Sequence, residues 1–118
     1  MANPNLMSNT IAMYGKTNKL GITVTATSIL TNPTASGKVM KVNLLQISNV
    51  DGAAAASITA VINNEIVDTH IAKLVVVPAK NAINLLDKYF YLLEGESIKL
   101  TASANGDLEG LVSYEEIG

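Results

Sequence analysis

The chain has 118 residues, which is the length of one ordinary globular domain. Hydrophobic residues make up 48% and charged residues 15%, so the chain is too apolar to be disordered and a packed core is expected. Eight basic residues, all of them lysine, against ten acidic residues give a net charge of -2, which disfavours a nucleic-acid-binding module. The absence of cysteine excludes disulfides, thiol catalysis and cysteine-based zinc sites.

The N-terminal segment differs in character from the rest of the chain. It lacks the basic region and apolar run of a signal peptide, and no stretch approaches the roughly 20 apolar residues that span a bilayer. We interpret residues 1–13 as an N-terminal arm or a first strand, and residues 14–118 as a single β-sandwich domain. Four apolar side chains of the arm are candidates for subunit contact, since they can pack on a neighbour or add a strand to its sheet: Leu6, Met7, Ile11 and Met13.

Short alternating runs follow one another along the domain. Apolar and polar residues alternate with the period of two that is typical of strands at 20–26, 40–44, 58–62, 98–104 and 108–114. The run 71–77 is rich in β-branched residues and ends at Pro78. Turn residues lie between the runs, with hairpins predicted at Asn63-Asn64 and, most strongly, at Asn105-Gly106. About eight short strands predict an all-β chain, folded as an antiparallel β-sandwich or a jelly-roll-like barrel.

The segment 79–93 admits two interpretations. Ile83, Leu86, Phe90 and Leu93 are spaced as on one face of a helix. Asparagine, aspartate and tyrosine lower the helix propensity of the segment, and strand-like runs flank it. We therefore predict two short strands broken near Asp87-Lys88, with a helix as the alternative.

Candidate chemistry is sparse. His70 and Asp68 would share one face of a strand and could begin a metal site, but no third or fourth ligand can be named, so a polar strand start is the simpler interpretation. No nucleophile elbow, zinc-protease motif or phosphate-binding loop occurs, and pairing Ser57 or Ser113 with His70 is arbitrary. We therefore expect no catalytic residue, no cofactor and no metal, and the chain is predicted not to be an enzyme.

Charged residues fall into two groups. Acidic residues concentrate in the last quarter, where solvated carboxylates explain them more simply than a calcium site: Glu94, Glu96, Glu109, Glu115 and Glu116. Four lysines gather if the first two long strands pair: Lys16, Lys19, Lys38 and Lys41. Such a patch either meets an acidic partner surface or is ordinary solvated charge.

Turn and strand-edge motifs over residues 14–117 carry a family resemblance. They lie at 14–16, 36–39, 48–52, 77–79, 85–88, 92–97, 101–104 and 113–117. In these motifs the sequence resembles a family of small virion structural proteins from tailed bacteriophages. The resemblance implies a β-sandwich particle component without catalysis.

Several functions follow from that resemblance. A capsid decoration, or cement, protein would bind the major capsid protein as a homotrimer. A neck, tail or fibre component of the virion is the alternative. Either would be assembled in the host cytoplasm, whose reducing conditions suit a chain without cysteine, and would need neither nucleic acid nor a membrane. A carbohydrate-binding β-sandwich also stays open, although only four tyrosines are available for stacking on sugar rings: Tyr14, Tyr89, Tyr91 and Tyr114.

Overall fold

A computed structural model describes residues 12–118. Every regular element in that range is a β-strand. The strands are β1 (Met13–Gly21), β2 (Thr27–Thr31), β3 (Val39–Asn49), β4 (Ala56–Asn63), β5 (Asp68–Val77), β6 (Ala82–Asn84), β7 (Phe90–Leu92), β8 (Ser97–Ala102) and β9 (Leu108–Ile117). The described residues hold no helix that is long and apolar enough to cross a membrane.

Two antiparallel sheets form the fold. Sheet I has the order β1-β9-β3-β6, and β7 also pairs with β3; sheet II has the order β2-β8-β4-β5. Every strand pairing is antiparallel. The predicted all-β sandwich is therefore confirmed, with nine strands where about eight were expected.

The core lies between the two sheets. Along β3, β8 and β9, alternate side chains point inward because successive residues of a strand face opposite sides of the sheet. Leu45 and Ile47 of sheet I and Ile58 and Leu100 of sheet II are fully buried in one hydrophobic cluster. This burial of aliphatic side chains is what stabilises the sandwich.

The strand predicted over 20–26 is wrong over most of its length. β1 ends at Gly21 in sheet I and β2 begins only at Thr27 in sheet II, so residues 22–26 form a connection between the sheets. Backbone bonds join this connection to both sheets: the amide of Ile22 donates to Leu108 O at 2.9 Å, and Thr23 O accepts from the amide of Ala102 at 2.8 Å. The alternation predicted one buried face here, but Ile22 is buried whereas Val24 is 51% exposed.

The hairpin predicted at Asn105-Gly106 is wrong. The turn is present, since Gly106 has φ of 84°, a backbone conformation that favours glycine. However, β8 belongs to sheet II and β9 to sheet I, so the turn carries the chain across the sandwich. The side chain of Asn105 fixes the crossing, because its Oδ1 accepts a 3.0 Å bond from the amide of Val24.

Segment 79–93 forms strands, as predicted. β6 and β7 pair with the two halves of β3, and Asp87-Lys88 lies in the loop between them. The helical alternative is wrong because β3 offers a free edge, whose backbone bonds these short strands satisfy. The spacing that suggested a helix instead places Leu86 and Phe90 partly against the core.

Two buried asparagines hold loops to the sandwich. Asn32 donates from Nδ2 to Lys38 O at 2.9 Å and to Leu92 O at 3.0 Å, while its Oδ1 accepts from Ser36 Oγ at 2.6 Å. Asn49 donates in the same way to two carbonyl oxygens. Buried polar groups need such partners, and these two satisfy backbone groups that no strand satisfies.

Candidate functional site

An exposed apolar surface follows the edge strand of sheet II. β5 is paired on one side by β4 and lies at the end of the sheet order. The β5 apolar surface, as we define it, comprises Ile66, Val67, Leu74, Val75 and Val76. Ile66 is 86% exposed and Leu74 is 65% exposed. β5 itself also carries exposed Asp68, His70 and Lys73, which separate Ile66 and Val67 from residues 74–76. An exposed edge strand with an uncharged apolar end is suited to contact with another molecule.

The tip of the β4–β5 hairpin is a well-defined turn. Asn64 Oδ1 accepts bonds from the amides of Ile66 at 3.1 Å and Val67 at 2.8 Å, and Asn63 Nδ2 donates to Asp68 Oδ1 at 2.6 Å. These bonds confirm the hairpin predicted at Asn63-Asn64. They also hold the backbone of the two apolar residues at the tip.

Leu74 has an unusual backbone for its residue type. The register between β4 and β5 is irregular on both sides of Ala60, and Leu74 has φ of 52°. Its amide donates to Thr59 Oγ1 at 3.2 Å. A leucine in the left-handed region costs about 1 kcal/mol or more, and this one is largely exposed. The folding of this chain therefore gains little from leucine here, whereas a contact with a second molecule would use it.

The predicted contact arm is only partly described. Met13 is the first residue of β1, is 59% exposed and pairs with Ile117. Leu6, Met7 and Ile11 lie outside the described residues. The role of these four side chains, and the boundary between arm and strand, stay predictions.

The predicted lysine patch is divided among different contacts. Lys16 and Lys38 both bind Glu116, at Nζ–Oε distances of 3.1 and 2.8 Å. The hydrogen bond from Lys38, followed by that from Lys16, holds the pKa of Glu116 below its ordinary value. The same bond to Glu116 raises the pKa of Lys38. Lys19 borders a separate cleft. Two of the four lysines therefore form ion pairs within the chain.

Lys41 belongs to a second exposed feature, on the outer face of sheet I. Its Nζ lies 4.2 Å from the ring centroid of Tyr89, and that ring meets Tyr91 edge to face at 5.7 Å between centroids. Lys41 pairs across the sheet with Tyr91 on one side and Glu115 on the other. We call these four residues the tyrosine platform.

The remaining candidates stay apart. His70 pairs with Val61 on β4, and Asp68 accepts from Asn63. Ser113 lies on β9 in sheet I, away from both His70 and Ser57 in sheet II. Among residues 12–118, no group of three or more His, Asp or Glu could hold a metal ion.

Sequence analysis missed the β5 apolar surface. The available signal was the end of the run 71–77, where four apolar residues, Leu74–Val77, follow one another without alternation. Such a run is typical of a strand covered on both faces, whereas this strand is largely exposed.

Comparison of this chain with known proteins finds only distant structural similarity. No family model matches the sequence, and no curated protein matches it. Two crystal structures of a pentameric capsid protein isolated from metagenomic phage sequences align with 84% of this chain, at a TM-score of 0.44 and 16% identity. The alignments cover 59% and 60% of those chains. Similarity at this level does not define a function.

Proposed function

We propose that this chain is a non-enzymatic structural protein of a bacteriophage virion, and specifically a capsid decoration, or cement, protein that binds and stabilises the shell of the major capsid protein. Two lines support the proposal. The motifs at 14–117 resemble small virion proteins, and the β5 apolar surface supplies a contact surface. That surface is the observation that carries the proposal.

The physical argument starts from exposure. Leu74, Val75 and Val76 are consecutive on an edge strand, and Val75 and Val76 face opposite sides of the sheet, so a partner must reach around the edge to cover all three. Burial of their apolar area contributes about 25 cal/mol for each Å² that is covered. The lack of charge among them lowers the cost of removing the surface from water. In a particle, symmetry repeats each such contact many times, so a modest contact suffices.

The expected partners are further copies of this chain and the major capsid protein. We propose a homotrimer that uses the β5 apolar surface, with the arm residues Leu6, Met7, Ile11 and Met13 as additional contacts. Assembly in the host cytoplasm and incorporation into the virion follow from this proposal.

Light scattering on the purified chain tests self-association. A trimer would have three times the 12.4 kDa mass of one chain. We expect Val76→Lys to reduce the mass to that of a monomer, because it places a charge on a surface that must lose water. Val24→Lys is the matched control, since Val24 is 51% exposed against 58% for Val76 and lies outside the β5 apolar surface. A Val76→Lys variant that retains the wild-type oligomer would count against this surface.

Binding to the shell is a second measurement. The wild-type chain should sediment with expanded shells assembled from the major capsid protein, and Val76→Lys should sediment less. A chain that stays monomeric and does not bind these shells would refute the decoration role.

A neck, tail or fibre component is the alternative within the virion. Immunogold labelling of whole particles separates the two roles. Label distributed over the capsid supports decoration, whereas label at one vertex or along the tail supports the alternative.

A further inference from the structure

Among the described residues, no strand or loop has been assigned to cover the outer face of sheet I, which is mostly polar. One row across its strands consists of Gly15, Glu115, Lys41 and Tyr91, which are consecutive cross-strand partners. Gly15 contributes no side chain, so the carboxylate of Glu115 is bordered by open space on that side. Asn43 Nδ2 donates to Glu115 Oε1 at 3.1 Å, which orients the carboxylate.

A cleft lies on the same face, further along the strands. Its volume is about 350 Å³, and its polar lining includes Lys19, Gln46, Ser48 and Glu109. Lys19 and Gln46 are both cross-strand partners of Leu111, which places them on the face that carries Glu115. Glu109 and Glu115 are six positions apart on β9, which is about 20 Å at 3.4 Å per residue. The tyrosine platform and the cleft are thus the two ends of one elongated surface.

We propose that this surface binds a neutral saccharide chain. Sugar rings present apolar C–H faces, which pack on tyrosine rings, and hydroxyl groups, which bond to carboxylates and amides. Tyr89 and Tyr91 supply exposed rings at one end. Glu115 and the cleft residues Gln46 and Glu109 supply acceptors and donors along the strands. The positive charge of Lys41 lies beside the negative charge of Glu115 and offsets it. A surface whose charges offset each other suits an uncharged ligand.

The chemistry of this face distinguishes it from the β5 apolar surface. The centre of a protein interface is apolar, whereas this face carries mostly glycine, serine, glutamine and charged residues, with Leu44 and Leu111 among them. Lys41 Nζ lies against the Tyr89 ring, and this contact favours one orientation of the ring before a ligand arrives. Saccharide binding is independent of the virion role, and each can fail without the other.

An array of neutral microbial oligosaccharides, followed by calorimetric titration of the strongest soluble binder, tests the proposal. We expect Tyr91→Ala to weaken binding about tenfold, the scale of one lost ring contact. Tyr14→Ala is the matched control. Tyr14 is exposed like Tyr91, at 59% against 38%, but it neighbours Gly15 on β1 and therefore faces the other side of sheet I.

Three results would overturn the proposal. The first is an array without any bound saccharide. The second is unchanged affinity in the double variant Tyr89→Ala/Tyr91→Ala, with its fold verified by circular dichroism. The third is loss of self-association in that double variant by light scattering, which would make the platform a contact between protein subunits.

Discussion

Replacing Asn32 by alanine tests how the loops are held to the sandwich. Asn32 is fully buried, and its amide nitrogen donates to two backbone carbonyls, those of Lys38 and Leu92. Alanine removes both donors, together with the acceptor for Ser36 Oγ. Each buried acceptor left without a partner costs about 1–3 kcal/mol. The Leu92 carbonyl is buried and that of Lys38 partly so, which gives an expected loss of about 2–4 kcal/mol.

Urea denaturation followed by circular dichroism measures this loss, and a thermal melt should fall by roughly 10 °C for a domain of this size. Asn81→Ala is the matched control, because Asn81 also donates to a backbone carbonyl but is exposed. Its expected cost is within about 0.5 kcal/mol. If both variants lose less than about 1 kcal/mol, the bonds of Asn32 do not hold the loops in the way argued.

Three further predictions concern the core, the ion pairs and the edge strand. Gly110→Val should lower the free energy of unfolding by about 1–3 kcal/mol in urea denaturation, because even a Cβ at this position would lie 2.9 Å from Leu100 Cδ1; an unchanged midpoint would contradict this packing. Because the pKa of Glu116 is lowered in the folded chain, its stabilisation is present above its ordinary value of 4.5 and lost as pH falls through the lowered pKa. Melting temperatures of the wild type and Glu116→Gln should therefore differ at neutral pH and converge in acid, and a constant difference would refute the pairing. Leu74→Asn should raise the melting temperature of the isolated chain slightly, since asparagine tolerates the left-handed backbone, yet weaken self-association in light scattering.

The sequence predicted the class of fold because alternation is a local property. Residues such as Ile98 and Leu100 alternate with polar neighbours, and a strand that buries one face requires that pattern wherever it pairs. The sequence also located the turn residues, because the tendency to form a turn is a local property as well. Gly106 and Asn64 adopt or support turns through their own backbone and side-chain chemistry, so the chain direction changes there regardless of its neighbours.

Strand pairing was decided by the tertiary structure. Asn105-Gly106 has the residues of a tight hairpin, but β8 and β9 lie in opposite sheets, where their hydrophobic faces meet in one core. The helical spacing around Leu86 was likewise overruled by the free edge of β3. Local sequence sets which residues can turn or extend, whereas burial of the whole core selects among the pairings that remain.

For the candidate surfaces, too, the sequence determined one part and the tertiary structure the other. The composition is poor in charge and in catalytic groups, and it therefore favoured a contact surface over an active site. The exposure of Leu74, the contact of Lys41 with the Tyr89 ring and the convergence of two lysines on Glu116 depend on how distant parts of the chain pack together. Exposure and proximity are properties of the packed sheets, so only the tertiary structure could assign them.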